Sequence, residues 1–197
     1  MSAIWSIILA AGESKRMGFP KMLLEFHGKT MIENVIEHVA GSDTDGILVV
    51  LGAGMEILSS LVGKYDVKCC YNENYREGML SSVQCGFRNL PADFEAVMVF
   101  QGDQPFIRPT VINTVINEYR SSGRGIVIPV FNGKRGHPLL LDRKYRDQID
   151  LLDPAEGLRS ITYLNSGDVH EVETNEPGIL RDFDTYDDYK NEINQTL

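Results

Sequence analysis

Residues Leu9 to Lys21 read LAAGESKRMGFPK. The apolar run Ile4-Trp5-Ser6-Ile7-Ile8-Leu9 leads into them and has the length and make-up of a buried strand. The stretch combines small residues, the glycines Gly12 and Gly18, and the cations Lys15, Arg16 and Lys21. The glycines allow sharp turns and close approach of the backbone to an anion. Arg16 offers a bidentate fork to phosphate oxygens, and Lys21 a compact point charge. Lys15 suits either the same task or open solvent. A loop leaving a central strand in this way is a good place for a phosphorylated ligand. The competing reading is an ordinary glycine turn with solvated cations. The stretch lacks the Gly-Lys-Ser/Thr ending of a P-loop, which excludes an ATPase or GTPase of that class.

Outward from this loop the chain alternates strands and helices. Thr30 and Glu33 have capping-box spacing, and Met31, Ile32, Val35, Ile36 and Val39 follow at helical spacing up to Gly41. Strands are predicted over Ile47–Leu51, Val67–Tyr71, Ala96–Phe100 and Ile126–Val130. Helices are predicted over Met55–Leu61, from Ser81 to about Arg88, and from Pro109 to about Arg120. This repetition is the signature of an α/β sheet. From Phe131 the rhythm changes to a turn-dense cluster, Asn132 to Pro138, and then to short elements. Helices are expected over Lys144–Ile149, Ala155–Leu164 and from Asp187 onward, with a strand at Val169–Val172. We read residues 131–175 as accessory structure on a single domain spanning residues 1–197.

An apolar fraction of 43% over 197 residues supports a real core. A formal charge of −9 argues against a general nucleic-acid binder, while leaving room for a nucleotide enzyme with a few pocket cations and a divalent metal. Cys69, Cys70 and Cys85 make neither a disulfide framework nor a usual zinc knuckle. The start of the sequence lacks the pattern of a secretory signal, and Ile4–Leu9 is too short to span a membrane. The expectation is a soluble cytoplasmic protein with reduced thiols and no membrane partner.

Asp103 follows the strand ending at Phe100, where a carboxylate can hold Mg²⁺ shared with substrate phosphates or serve as a turn residue. Asp182 and Asp184 are two apart, so an extended backbone faces both the same way. Two such acids repel unless a cation lies between them. The alternative is an acidic surface loop with Asp184 capping the next helix. His137-Pro138 sits in the turn cluster, where the ring can present a nitrogen. His27, His38, His137 and His170 are not at metal-ligand spacing, which discounts zinc, and no GxSxG elbow is present. His38 reads as a late-helix residue at the negative end of a dipole.

The set resembles the molybdopterin cytidylyltransferase-like branch of the nucleotidyltransferases. The resemblance is carried by LAAGESKRMGFPK, by GMLSSVQCG at Gly78 to Gly86, by QGDQPF at Gln101 to Phe106, by RGHP at Arg135 to Pro138 and by DFDTYDDY at Asp182 to Tyr189. It implies a three-layer Rossmann-like fold with a mostly parallel, mixed sheet. It implies that Leu9, Ala10, Ala11 and Gly12 lie along the nucleotide, with Arg16 and Lys21 on its phosphates and Ser81 and Ser82 lining the base or ribose pocket. Asp103 holds Mg²⁺ in this reading, with Asp184 as its partner and Asp182 as the competing assignment. Gly136, His137 and Pro138 shape the acceptor side.

The implied reaction is attack of a terminal phosphate oxygen of a molybdopterin-type acceptor on the α-phosphorus of CTP, with loss of pyrophosphate. Ala11 stands where guanylyltransferase relatives typically carry glycine, which favours CTP. The segment Asp153 to Arg159 departs from the family's Gly-x-x-Gly-Ala-Arg pattern and leaves Arg159 as a candidate acceptor contact. The implied partners are CTP, a molybdopterin-type small molecule, and a molybdoenzyme or its maturation factor. The alternatives are GTP or another phosphorylated acceptor, and a non-enzymatic carrier of the nucleotide or pterin.

Overall fold

The computed structural model describes residues 3–196. The elements in chain order are β1 (Ala3–Ala10), β2 (Glu25–Phe26), β3 (Lys29–Thr30), α1 (Met31–Ala40), β4 (Gly46–Leu51), α2 (Met55–Val62), β5 (Lys68–Tyr71), α3 (Met79–Asn89), β6 (Phe94–Gln101), α4 (Pro109–Ser122), β7 (Ile126–Phe131), β8 (Lys134–Arg135), β9 (Leu139–Asp142), α5 (Arg146–Asp150), α6 (Ser160–Leu164), β10 (Val169–Glu173) and α7 (Tyr186–Thr196). Leu197, the last residue of the expected terminal helix, lies outside the described residues.

The main sheet runs β10-β7-β9-β6-β1-β4-β5, with β8 paired to β7. β1 is parallel to both β4 and β6, β5 is parallel to β4, and β10 is parallel to β7. Only β8 and β9 run antiparallel within it. The sheet is therefore mixed and mostly parallel, as the resemblance implies. The chain moves from β1 outward through β4 and β5, then returns to β6 on the other side of β1. That reversal opens a crevice at the carboxyl ends of β1 and β6.

Alternation along β1 explains the two cores. Ile4, Ile8 and Ala10 pack on one face with Ile32, Ile36, Ile112 and Ile116 of α1 and α4. Ile7 and Leu9 pack on the other with Val83 and Phe87 of α3 and Ile149 and Ile161 of α5 and α6. Ile4, Ile7 and Ile8 are fully buried, and each such side chain contributes about 2 kcal/mol from burial. Gly86 lets α3 press onto the sheet, since a Cβ there would meet Ile7 Cδ1 at 2.8 Å. No helix among the described residues is long and apolar enough to cross a membrane.

Thr30 and Glu33 close the expected capping box, the Glu33 carboxylate accepting from the Thr30 N–H at 2.9 Å. Two expectations need correction. α3 starts at Met79, two residues before Ser81, because Gly78 takes a φ of 108° and turns the chain earlier. The helix expected over Ala155–Leu164 is confined to Ser160–Leu164. Ahead of it the Asp153 side chain accepts from Ala155 N and Gly157 takes a left-handed φ of 70°, so the backbone forms turns. His38 lies in the last turn of α1, as expected, and its burial lowers the imidazole pKa, which favours the neutral ring.

Candidate active site

The Leu9–Lys21 loop is fixed by its own turns. The carbonyl of Ser14 accepts from Met17 N and Gly18 N, and its hydroxyl accepts from Lys21 N at 3.1 Å. Gly18 and Ser14 take the left-handed φ, at 78° and 52°, whereas Gly12 does not. Met17 anchors the loop in a small aromatic core with Phe26, Met31 and Phe183. Lys15 pairs with Glu13 and is 78% exposed, which fits its solvent reading.

After β6 the chain turns back on β1, Gly102 N donating to the carbonyl of Leu9 at 3.0 Å. This turn sets Asp103, only 5% exposed, beside the loop. Lys21 Nζ donates to the Asp103 carboxylate and lies 3.4 Å from the carbonyl of Phe183. Phe183 is buried, and its neighbours Asp182 and Asp184 face the opposite way, towards Asp103. One carboxylate oxygen from each of Asp103, Asp182 and Asp184 falls within 4.8 Å of the others. Burial, and then the charges of Asp103 and Asp184, raise the pKa of Asp182, with Lys21 opposing them.

Arg16 Nη1 bonds Asp184 Oδ2 at 2.7 Å. Asp184 is free for this because Thr185, not Asp184, caps α7 by accepting from Asp188 N at 3.2 Å. Three carboxylates of this kind form a hard oxygen donor set that fits a divalent cation such as Mg²⁺.

Beside the trio lies a cleft of about 250 Å³ walled by Leu9, Ala11, Gly12, Met79, Ser82 and Gln101, with Lys21 and Asp103 at its edge. A second hollow of about 270 Å³ runs under Gly12–Met17 to Asp184 and shares Gly12 and Lys21 with the first. Ala10 lies buried behind this wall in the core. Ser82 lines the cleft, but Ser81 does not. Its hydroxyl donates to the carbonyls of Asn74 and Gly78 instead, tying down the turn before α3. The buried Asn72 amide donates to both serines, at 2.9 and 3.0 Å.

Opposite the loop, Gly136 N donates to the Pro129 carbonyl and His137 N to the Ile179 carbonyl. A side chain at Gly136 would meet Ile179 O at 2.4 Å, so the close approach requires glycine. The peptide from His137 to the buried Pro138 is cis. His137 Nε2 lies 3.3 Å from Gln101 Nε2. This contact ties the imidazole to the Gln101 side-chain amide, with the direction of the hydrogen bond set by the ring tautomer. Burial lowers the pKa of His137, with the Asp103 charge opposing it. Arg159 remains exposed at the start of α6 and is not drawn into this group.

The structure therefore brings together Leu9, Ala11, Gly12, Arg16, Lys21, Ser82, Asp103, Asp182 and Asp184, with His137 reaching them through Gln101. Sequence reasoning missed Ser14, Asn72, Met79, Gln101 and Tyr75, which also lines the cleft. Gln101 stood inside a quoted motif and could have been found from its place at the strand end. The bonds of Ser14 and Asn72 depend on folded loops and leave no such signal.

Residues 6–170 match the model of the MobA-like NTP transferase domain. The chain is 29% identical over 190 residues to the molybdenum cofactor cytidylyltransferase of Escherichia coli (strain K12), covering 96% of this chain and 95% of that one. It is 33% identical over 128 residues to a probable molybdenum cofactor guanylyltransferase of Natranaerobius thermophilus, covering 65% of this chain and 60% of that one. The fold superposes on the crystal structure of Rv0371c from Mycobacterium tuberculosis H37Rv with a TM-score of 0.86, at 21% identity and 98% coverage of both chains. The chain belongs to the MobA-like NTP transferase family and is a nucleotidyltransferase.

Proposed function

We propose that this enzyme transfers CMP from CTP to the terminal phosphate of molybdopterin and releases pyrophosphate, with Mg²⁺ as the metal. The observation that carries the reading is the joining of Asp103, Asp182 and Asp184 to Lys21 and Arg16 at the carboxyl ends of β1 and β6. The near full-length similarity to a cytidylyltransferase favours CTP and this acceptor. The shorter match to a guanylyltransferase keeps GTP as the one competing nucleotide.

In this reading the exposed backbone of Gly12 and the cations of Arg16 and Lys21 hold the triphosphate. Ser82 and the Leu9–Ala11 backbone wall the nucleoside. Asp103, Asp182 and Asp184 would hold Mg²⁺, which would offset phosphate charge as a Lewis acid. The Ser14 hydroxyl holds the Lys21 backbone N–H, which keeps the root of the lysine beside the phosphates while its ammonium rests on Asp103. An acceptor phosphate oxygen bonds to the α-phosphorus as the bond to the β-phosphate oxygen breaks. That phosphate is already ionised near neutrality, so no protein nucleophile or general base is required.

Residues 131–175 form the acceptor side of a single domain spanning residues 1–197. There Gly136 and Pro138 set the path of the chain, and His137, whose burial favours the neutral ring, offers a polar group without adding charge. We place the reaction in the cytoplasm, with a molybdoenzyme or its maturation factor receiving the product. The test is a nucleotide-by-acceptor panel scored by pyrophosphate release. CTP with molybdopterin is expected to give the highest kcat/KM, and a preference for GTP would reject the cytidylyl reading.

A further inference from the structure

We infer that Lys21 is a built-in competitor for the divalent cation, closing the aspartate trio to free metal until a triphosphate draws the lysine away. The inference rests on the proposed metal and nucleotide reading of the site. Its basis is a match of charge and position. Lys21 Nζ bonds the Asp103 carboxylate and stands 3.4 Å from the Phe183 carbonyl, between the two chain segments that supply the trio. Arg16 neutralises the third member, Asp184, at 2.7 Å. The two side chains together bring the same two positive charges that a divalent ion would bring.

A metal arriving alone meets an ammonium already seated on its most buried ligand, with side-chain exposures of 16% for Lys21 and 7% for Asp103. Like charges at that range repel strongly where water is scarce. A triphosphate arriving alone faces the reverse difficulty. Drawing Lys21 off would leave a buried carboxylate without its cation. Arrival of both together removes both penalties, since the phosphates take the lysine and the metal takes Asp103. Each ligand therefore strengthens the other beyond their direct contact, and the coupling is reciprocal.

The prediction runs against the usual expectation that mutating a binding site weakens binding. In nucleotide-free protein, Lys21→Met should bind Mn²⁺ more tightly than wild type, by about tenfold or more. Arg16→Met, at a 73% exposed side chain, should tighten it by about twofold to threefold, as suits a screened pair. The measurement is a titration followed by the electron paramagnetic resonance signal of free Mn²⁺, with circular dichroism to check folding. Adding Asp103→Asn to Lys21→Met should abolish the gain, which locates the ion at the trio.

Adding CTP should tighten Mn²⁺ binding to wild type more than to Lys21→Met. Equal or weaker Mn²⁺ binding by folded Lys21→Met overturns the inference, as does a gain that survives Asp103→Asn. If Lys21→Met does not fold, Arg16→Met decides, and an unchanged Mn²⁺ affinity there overturns it. Absence of Mn²⁺ binding in every variant, with and without CTP, overturns the metal reading itself and is thereby distinguishable.

Discussion

On one side of the cleft, formed by Leu9–Lys21, Asp103 and Asp182–Asp184, charge is dense and mostly paired, Lys21 on Asp103 and Arg16 on Asp184, with the Asp182 carboxylate in excess. On the other side, formed by Gly136–Pro138 and Gln101, polarity is held by neutral groups and backbone, the adjoining Arg135 is paired with Glu171, and Arg159 is exposed. The charged side follows β1 and β6, the two central parallel strands, whose ends are fixed by pairing along their whole length. The neutral side hangs on β8, β9 and the turn at Pro177–Leu180. In the proposed reading, phosphate and metal handling fall to the charged side, at the centre of the sheet. In the proposed reading the acceptor is met by the turns that flank β8 and β9, while β9 itself is paired inside the sheet between β7 and β6.

Substitutions on the two sides should therefore fail in different ways. The largest effect is expected from Asp103→Asn, with kcat lowered about a thousandfold at saturating Mg²⁺ and the far-ultraviolet spectrum unchanged. Pyrophosphate release measures it, and a rate within tenfold of wild type would remove Asp103 from the centre. Lys21→Ala should lower kcat/KM for CTP about a hundredfold while leaving KM for the acceptor within about threefold. An effect confined to the acceptor would exchange the two sides.

His137→Gln should do the opposite, raising acceptor KM about tenfold with CTP KM unchanged. It also carries a pH signature. Burial lowers the folded-state pKa of His137 below its ordinary 6.5. The unfolded chain then takes up the proton first, and stability falls as pH drops below 6.5. The variant should fall less steeply between pH 6.5 and 5, as read by thermal unfolding, although His38 keeps part of the slope. An identical slope would mean that His137 is not held neutral by the fold. Arg159→Ala is expected to change every constant by less than about twofold, and a larger loss would show that α6 moves its arginine onto the acceptor.

The same division governs what could be read before the fold was known. β1, β4, β6 and β7 announced themselves as apolar runs because they are buried on both faces. Asp103 was legible because a carboxylate one turn past such a run has few structural reasons to be there. Asp182 and Asp184 were legible as a pair from the period of an extended chain, and the structure puts both at Asp103. Ser81 misled because Gly78 starts α3 early and turns the hydroxyl to local carbonyls. Ala155–Arg159 misled because helix-forming residues there are overridden by the Asp153 side chain and by Gly157. The pairing of Lys21 and Arg16 with the aspartates left no trace in spacing, because it joins segments more than 80 residues apart.

The central claim is that the charged side performs cytidylyl transfer to a phosphorylated pterin. The most direct measurement uses CTP labelled at the α-phosphorus, molybdopterin and Mg²⁺, with both products followed. The expected result is label joined to the pterin in equal amount to the pyrophosphate released, with transfer lost in Asp103→Asn. Label that stays in CTP with folded enzyme and intact acceptor would contradict it, as would equally fast transfer by Asp103→Asn.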